Sequence, residues 1–403
     1  MSSAERVVRL HRRQIDRAIS QAYARLATHA CALDAFGELL QCVRTRARRL
    51  LGEPFIGGRH PGVDALFNLS RYAGGYRRGI ADWPGTAASW RLCVSGLAEH
   101  LLCAYTVPRF LGASWYAVGD AYAERKREWF VAHGRGARFR SLDLPIVLTS
   151  RMEHIFLASR DHLSVEHAMR RAELLALGAS DALVRTVLAT EPGTDLRHGA
   201  FWRTVWTFLI ENEQAIDPAQ VAPLIEFVHS VRHRSITVET PDGVARRDPP
   251  QPSFSMKGRT VPSMLRLMQD WHRSLGTTWG GLTWHPSPLR PMVVEEPGED
   301  LSAPPAVWRM TELTSGEQLR AEGSALHHCV SSYADRCWRG VSEIWSLRVQ
   351  RGDRIRPVLT VEVDRRRRAV VQARGWGNRL ASGKSLPMLQ RWALREQVRL
   401  AVF

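Results

Sequence analysis

Three stretches late in the chain decide the reading of its fold: Ile344-Trp-Ser-Leu-Arg-Val349, Val358-Leu-Thr-Val-Glu-Val363 and Ala369-Val-Val-Gln-Ala-Arg374. Each alternates apolar and polar residues, and in a strand successive side chains point to opposite faces. One face gathers Trp345, Leu347, Val349, Leu359, Val361, Val363, Val371 and Ala373. The other gathers Ser346, Arg348, Thr360, Glu362, Gln372 and Arg374. Gly352-Asp353 and Asp364 to Arg368 supply the turns, so the three read as an antiparallel meander. Upstream, Thr314 and Glu317 form a capping box ahead of a helix whose apolar stripe is Leu319, Leu326, Val330, Tyr333 and Cys337. A last helix is expected from about Leu386 to Arg399. The order α-β-β-β-α defines a small α+β module covered by helices.

Working outward, residues 145–234 have helical periodicity. Helices are predicted over 149–158, 164–177, 180–189, 199–213 and 218–231. Ser164, Ser180 and Asp217 are N-caps, Pro218 is a first helical residue and Gly178 a stop. Residues 237–262, with Asp248-Pro-Pro-Gln-Pro252, break the pattern. One helix follows from Pro262 to Leu275, then an irregular stretch from Gly276 to Pro305 anchored by Trp279 and Trp284. Earlier, helices are expected in the first 50 residues, over Trp90 to Tyr105 and over Trp115 to Val131, with residues 54–88 irregular. The fold class is a mainly α N-terminal helical region plus a small C-terminal α+β module. The expected domains are a basic helical region at 1–140, a helical bundle at 141–236, a Pro/Trp-rich linker with one helix at 237–306, and the α+β domain at 307–403.

The chain has 403 residues, 44% hydrophobic and 24% charged, which suits globular domains. Its 56 basic residues against 40 acidic ones give a formal charge of +16, nearly all of the excess arginine. Such a field attracts polyanions, so nucleic acid, DNA or RNA, is the expected partner. The competing explanation is a compositional bias that merely solvates helix faces. Candidate phosphate contacts are Arg12, Arg13, Arg46, Arg48, Arg49 and Arg374, and further basic clusters lie at 125–127 and 365–368. The six cysteines include no CxxC pair and read as reduced thiols. No signal peptide and no membrane span is legible, so a cytoplasmic protein is expected. P-loop, G-x-G-x-x-G and G-x-S-x-G motifs are absent from the sequence, which leaves nucleotide hydrolysis and α/β-hydrolase chemistry without support.

Chemistry-bearing residues concentrate in the late module. Cys329 adjoins His327 and His328, and an imidazolium lowers a thiol pKa. On one helix adjacent residues point about 100° apart, so another element would have to supply the base. Cys329 is equally well read as a small buried hydrophobe. Cys329 and Cys337 are too far apart along a helix to share one zinc, and His162, Glu166 and His167 do not have H-E-x-x-H spacing. No metal or other cofactor is expected.

The run Glu322-Gly-Ser-Ala-Leu-His-His-Cys-Val-Ser-Ser-Tyr333, with Leu359-Thr-Val-Glu362 and Gln372-Ala-Arg-Gly-Trp-Gly-Asn378, resembles the PcfJ-like family. The resemblance spans about residues 307–400. It implies association with conjugative plasmids and other bacterial mobile DNA, and a protein partner from the same element. It marks His327, His328, Cys329, Tyr333, Glu362, Gln372, Gly375 and Asn378 as signature positions. Together with the basic charge it predicts a nucleic-acid-binding protein with a Cys/His/Gln site. A cysteine-dependent hydrolase or transferase, and an interaction module without catalysis, remain the alternatives, and whether the protein is an enzyme stays open. Gly375 is expected to need positive φ or a close backbone approach.

Overall fold

The computed structural model describes residues 3–400 except 54, 56–58, 86–88, 118–121, 241–242, 279–280, 298–304, 327 and 329; side chains are described except at 3–10, 236–247, 273, 275–278 and 378. The chain divides into two compact units, Met1–Gly178 with Thr194–Arg197 and Ala179–Gly193 with His198–Phe403.

The first unit is helical: α1 (Ser3–Leu26), α2 (Ala30–Arg46), α3 (Pro61–Ser70), α4 (Trp90–Leu102), α5 (Ala123–Gly134), α6 (Ser150–Leu157) and α7 (Val165–Leu177). Phe36, Leu39, Leu66, Leu97, Trp115, Phe130, Phe139 and Phe156 form its core. The expected irregular stretch at 54–88 in fact contains α3. Pro61 occupies its first turn, the His60 ring accepts from the Val63 N–H at 3.2 Å, and Val63, Leu66 and Phe67 are buried. The helix expected from Trp115 begins instead at Ala123, because Trp115 closes a 3₁₀ turn that buries its indole.

The second unit opens with α8 (Asp181–Leu188), α9 (Glu191–Thr194, whose last residue belongs to the first unit), α10 (Gly199–Glu211) and α11 (Pro218–Arg232). The capping signals hold. Ser164 accepts from His167 N–H at 3.2 Å, Ser180 from Leu183 N–H at 3.1 Å and Asp217 from Ala219 N–H at 2.8 Å. Gly178 ends α7 in the left-handed region, with φ 101°. A hairpin, β1 (Ile236–Thr240) and β2 (Gly243–Arg247), stands where only a linker was expected, and α12 (Val261–Thr278) follows.

The late module is larger than a three-stranded meander. A six-stranded sheet runs β3 (Met292–Glu296), β4 (Ala306–Leu313), β5 (Ser342–Arg351), β6 (Arg354–Asp364), β7 (Ala369–Arg374) and β8 (Arg399–Leu400). All neighbours are antiparallel except β7 and β8. The register shifts between Glu362 and Val363, so Val370 rather than Val371 enters the core. The expected long helix after Thr314 is several pieces: α13 (Gly316–Leu326), a 3₁₀ turn over Val330–Tyr333 and α14 (Ala334–Trp338). Its cap lies one residue later than expected. Ser315 Oγ accepts from Gln318 N–H at 3.2 Å, and Gln318 Oε1 accepts from Thr314 N–H at 2.7 Å.

The two sheet faces are covered differently. On the apolar face α15 (Ser385–Arg395) buries Leu389 and Trp392, whose ring centroid lies 4.9 Å from that of Trp345. The other face carries the polar strand residues. It is met by α13, the 3₁₀ turn and α14, through a small core of Leu313, Leu319, Val330, Ala334, Cys337 and Ile344.

Candidate functional site

Because the segment after α13 lies on the polar sheet face, the polar strand residues point toward it. Glu362 of β6 sits opposite Gln372 of β7. Both line a cleft of about 540 Å³ together with Thr360, Arg374, His328 and Tyr333. The opposing wall comes from α8, α9 and α11 through Arg185, Glu191 and Glu226, and the rim after β7 adds Trp376 and Arg379. Every lining residue belongs to the second unit.

Local geometry fixes His328. Its backbone N–H donates to Gly323 O at 3.1 Å as α13 ends. A Cβ on Gly323 would stand 2.7 Å from His328 O, so the helix and the following turn meet only at a glycine. The His328 ring reaches Thr360 Oγ1 through Nε2 at 2.9 Å, and Thr360 donates to Glu322 Oε1 at 3.0 Å. Glu322 is fully buried, and its other oxygen pairs with Arg348 at 3.2 Å. Burial pushes the Glu322 carboxyl above the usual carboxylate range, while hydrogen bonds from Ser346 and Thr360 and the Arg348 charge oppose that rise.

The cleft carboxylates are held from behind. Glu362 pairs with Arg336 at 3.0 Å and accepts from Ser342 Oγ at 2.7 Å. Burial nevertheless raises its pKa. Arg234 joins Glu226 at 2.7 Å to Glu191 at 2.9 Å. Burial works against the Glu226 charge, but Arg234 and His229 prevail and lower its pKa. Tyr333 donates to Gln372 Oε1 at 3.2 Å. Burial, reinforced by Glu362 and Glu226, lifts its hydroxyl well above the usual phenol value, so it stays a donor. The arginines that line the cleft are engaged differently. Arg374 is buried and donates to Ala189 O at 3.3 Å, while Arg379 lies 5.2 Å from the Trp376 ring centre. Arg185, Arg374 and Arg379 make no ion pair among the described residues.

Of the residues singled out in the sequence, the cleft gathers His328, Tyr333, Glu362, Gln372 and Arg374. His327, Cys329 and the Asn378 side chain lie outside the described residues. Gly375 has φ −95°, so positive φ is not its reason; a Cβ there would lie 3.1 Å from Val358 O, and the left-handed residue is Gly377 at φ 58°. Arg12, Arg13, Arg46, Arg48 and Arg49 are exposed in the first unit and are not cleft residues. Arg46 donates to Trp83 O. The cluster at 125–127 is engaged internally: Arg125 pairs with Asp143, Lys126 with Glu166 at 2.5 Å and Arg127 with Glu124 at 2.7 Å. Cys337 is buried, which pushes its thiol well above the usual range. Among the described residues no group of three or more His, Cys, Asp or Glu is arranged to hold a metal ion, and no helix is long and apolar enough to cross a membrane.

Sequence reasoning missed Arg185, Glu191, Glu226, Arg379 and Glu322. Only Glu322 carried a signal, as a charged residue on the buried face of α13 shared with Leu319, Gly323 and Leu326. The others read as ordinary surface charges; Glu191, for one, meets Arg234 across 43 positions of sequence.

The family model described as PcfJ-like protein matches residues 308–385, so this stretch is a PcfJ-like domain. The match takes in His328, Tyr333, Glu362, Gln372 and Arg374 but not the wall built by α8, α9 and α11. No curated protein and no solved structure matches the chain.

Proposed function

We propose that a chain carrying this PcfJ-like domain binds nucleic acid, and that the cleft receives a phosphate-bearing nucleotide of the strand. The observation that carries the reading is the charge arrangement. Arg234 pairs with Glu191 and Glu226 and Arg336 with Glu362, whereas Arg185, Arg374 and Arg379 face the cleft without an acidic partner among the described residues. Among the described residues an anion therefore finds three cations outside any ion pair against one such carboxylate, Asp217, which is engaged in capping the Ala219 N–H at 2.8 Å. The volume suits a ligand of nucleotide size, within the range of roughly 300–1,000 Å³ usual for such sites. Trp376, 48% exposed at the rim with Arg379 5.2 Å from its ring centre, adds an aromatic–cation pair of the kind that bases stack against. The family likeness adds a setting, service to a bacterial mobile element, and the net charge of +16 adds long-range attraction.

The test is a salt titration of the full chain with labelled single-stranded DNA and RNA. Affinity falls steeply with salt, and Arg185→Ala with Arg379→Ala lowers the slope of log K against log[salt] by about 1.4, at about 0.7 per phosphate contact. No binding at low salt, or a slope the double variant leaves unchanged, refutes the reading. A cysteine-dependent hydrolase or transferase is a second reading, favoured by His328 and the buried acid Glu362 in one cleft. It requires Cys329 to alkylate faster than the other five cysteines, which peptide mass spectrometry measures.

A further inference from the structure

We propose that the cleft takes the end of a strand, with a terminal phosphate on Arg374 at its floor and the strand leaving past Arg185 and Arg379 at its mouth. The inference rests on the strand-binding reading above and adds which part of the strand enters.

The cations of the cleft stand at two depths. Arg374 is 6% exposed on β7, opposite Thr360 of β6 and on the same face as Gln372, yet it lines the cleft. Arg185 and Arg379 are exposed. A guanidinium has five N–H donors and keeps its charge in proteins. One Arg374 donor goes to Ala189 O at 3.3 Å, at the end of α8, and Arg374 makes no ion pair among the described residues. None of its donors is sealed inside the protein without a partner, so those it does not use reach open space. A buried charge is costly unless it is paired.

The acids around it are engaged elsewhere: Glu362 with Arg336, Glu191 and Glu226 with Arg234, and Asp217 with the Ala219 N–H. Beside Arg374 on β7, Gln372 gives its Oε1 to the Tyr333 hydroxyl at 3.2 Å, so its amide N–H groups are what it offers a ligand. The floor is therefore short of an acceptor, and an anion supplies one.

Depth selects the kind of phosphate. A diester within a strand continues on both sides, so seating it on the floor brings two lengths of chain in with it. A hollow of about 540 Å³, the size of one nucleotide, has no room for both. A terminal monoester continues on one side only. At pH 7 it carries a charge of about −1.5 to −2 and presents three oxygens to the planar fork of an arginine. One nucleotide further along, the first diester comes to the mouth, where Arg185 and Arg379 stand.

The experiment measures binding of the full chain to single-stranded DNAs of one sequence and length at about pH 7.5, where the monoester is mostly a dianion. The strands are 5′-phosphorylated, 3′-phosphorylated, hydroxyl-ended and circular. A phosphorylated end raises affinity over the hydroxyl-ended strand by about 10- to 100-fold, the range of a charge-assisted contact. The circle binds no better than the hydroxyl-ended strand, and the two phosphorylated strands tell which end enters. Arg374→Gln brings the preferred strand down to the hydroxyl-ended one. Arg374→Lys keeps a charge without the fork and retains part of the preference, with circular dichroism checking that both variants fold. Equal affinity of all the strands for the parent, or a preference that persists in folded Arg374→Gln, overturns the proposal. Strand binding survives that result when affinity still falls steeply with salt. No binding of any strand at low salt refutes strand binding and this proposal with it.

Discussion

At Glu362 two opposing forces act on one carboxyl. Burial disfavours its charge, while Arg336 at 3.0 Å and Ser342 at 2.7 Å favour it, and burial prevails. A folded-state pKa above the unfolded value of about 4.3 means that the native protein holds this proton more tightly than the unfolded chain does. The stability so contributed is complete below that value and is lost as pH rises through the folded titration. Glu362→Gln removes the titration. Its melting temperature relative to the parent therefore moves in the variant's favour as pH rises from about 4.3 through the folded titration. Thermal denaturation at several pH values checks this, and a constant difference would mean that Glu362 ionises like an exposed carboxylate. The polar alternation of the strands was enough to place Glu362 and Gln372 on one face. It could not tell that α13, rather than solvent, covers that face. Phase along a strand is a local property, whereas the covering element is chosen by the packing of the whole module.

The helix α13 shows how an element, rather than a residue, aims the site. Gly323 lets the end of the helix pass close to the His328 carbonyl, at 2.7 Å from where a Cβ would sit. Gly323→Ala forces the two apart. It should destabilise the protein by about 1–3 kcal/mol, as overpacking does. Chemical denaturation checks it, and an unchanged stability would mean that the helix end and the following turn part without cost. Helices with sequence-local signals were legible to within a residue or two, as the caps Ser164, Ser180 and Asp217 attest. The strands β3 and β4 were not. Their residues pair with each other and with β5 across Pro-rich chain, and Met292 meets Met310 only once the sheet exists. The helix α3 was missed because Gly and Pro around it outweighed its buried Val63, Leu66 and Phe67.

Across the whole molecule the charge of +16 is unevenly available. Arginines and Lys126 in the segment 125–127 are engaged by carboxylates, whereas Arg12, Arg13, Arg48 and Arg49 are exposed. Replacing these four by glutamine should weaken low-salt binding of any strand alike and reduce the salt slope by up to about 2.8 for single strands, at about 0.7 per contact. Unaltered binding isotherms would remove them from the interface. Half of the cleft was legible, namely the half inside the PcfJ-like domain. The other wall lies far upstream, and Arg374 meets Ala189 across 185 positions of sequence. That separation has a consequence for synthesis. A ribosome adding about 5–20 residues per second delivers α8 between roughly 10 and 40 s before Arg374. Through that interval the nascent chain carries the upstream wall without the strands that face it. The hollow takes shape in a single late step, when the last strands of the sheet close against helices made long before.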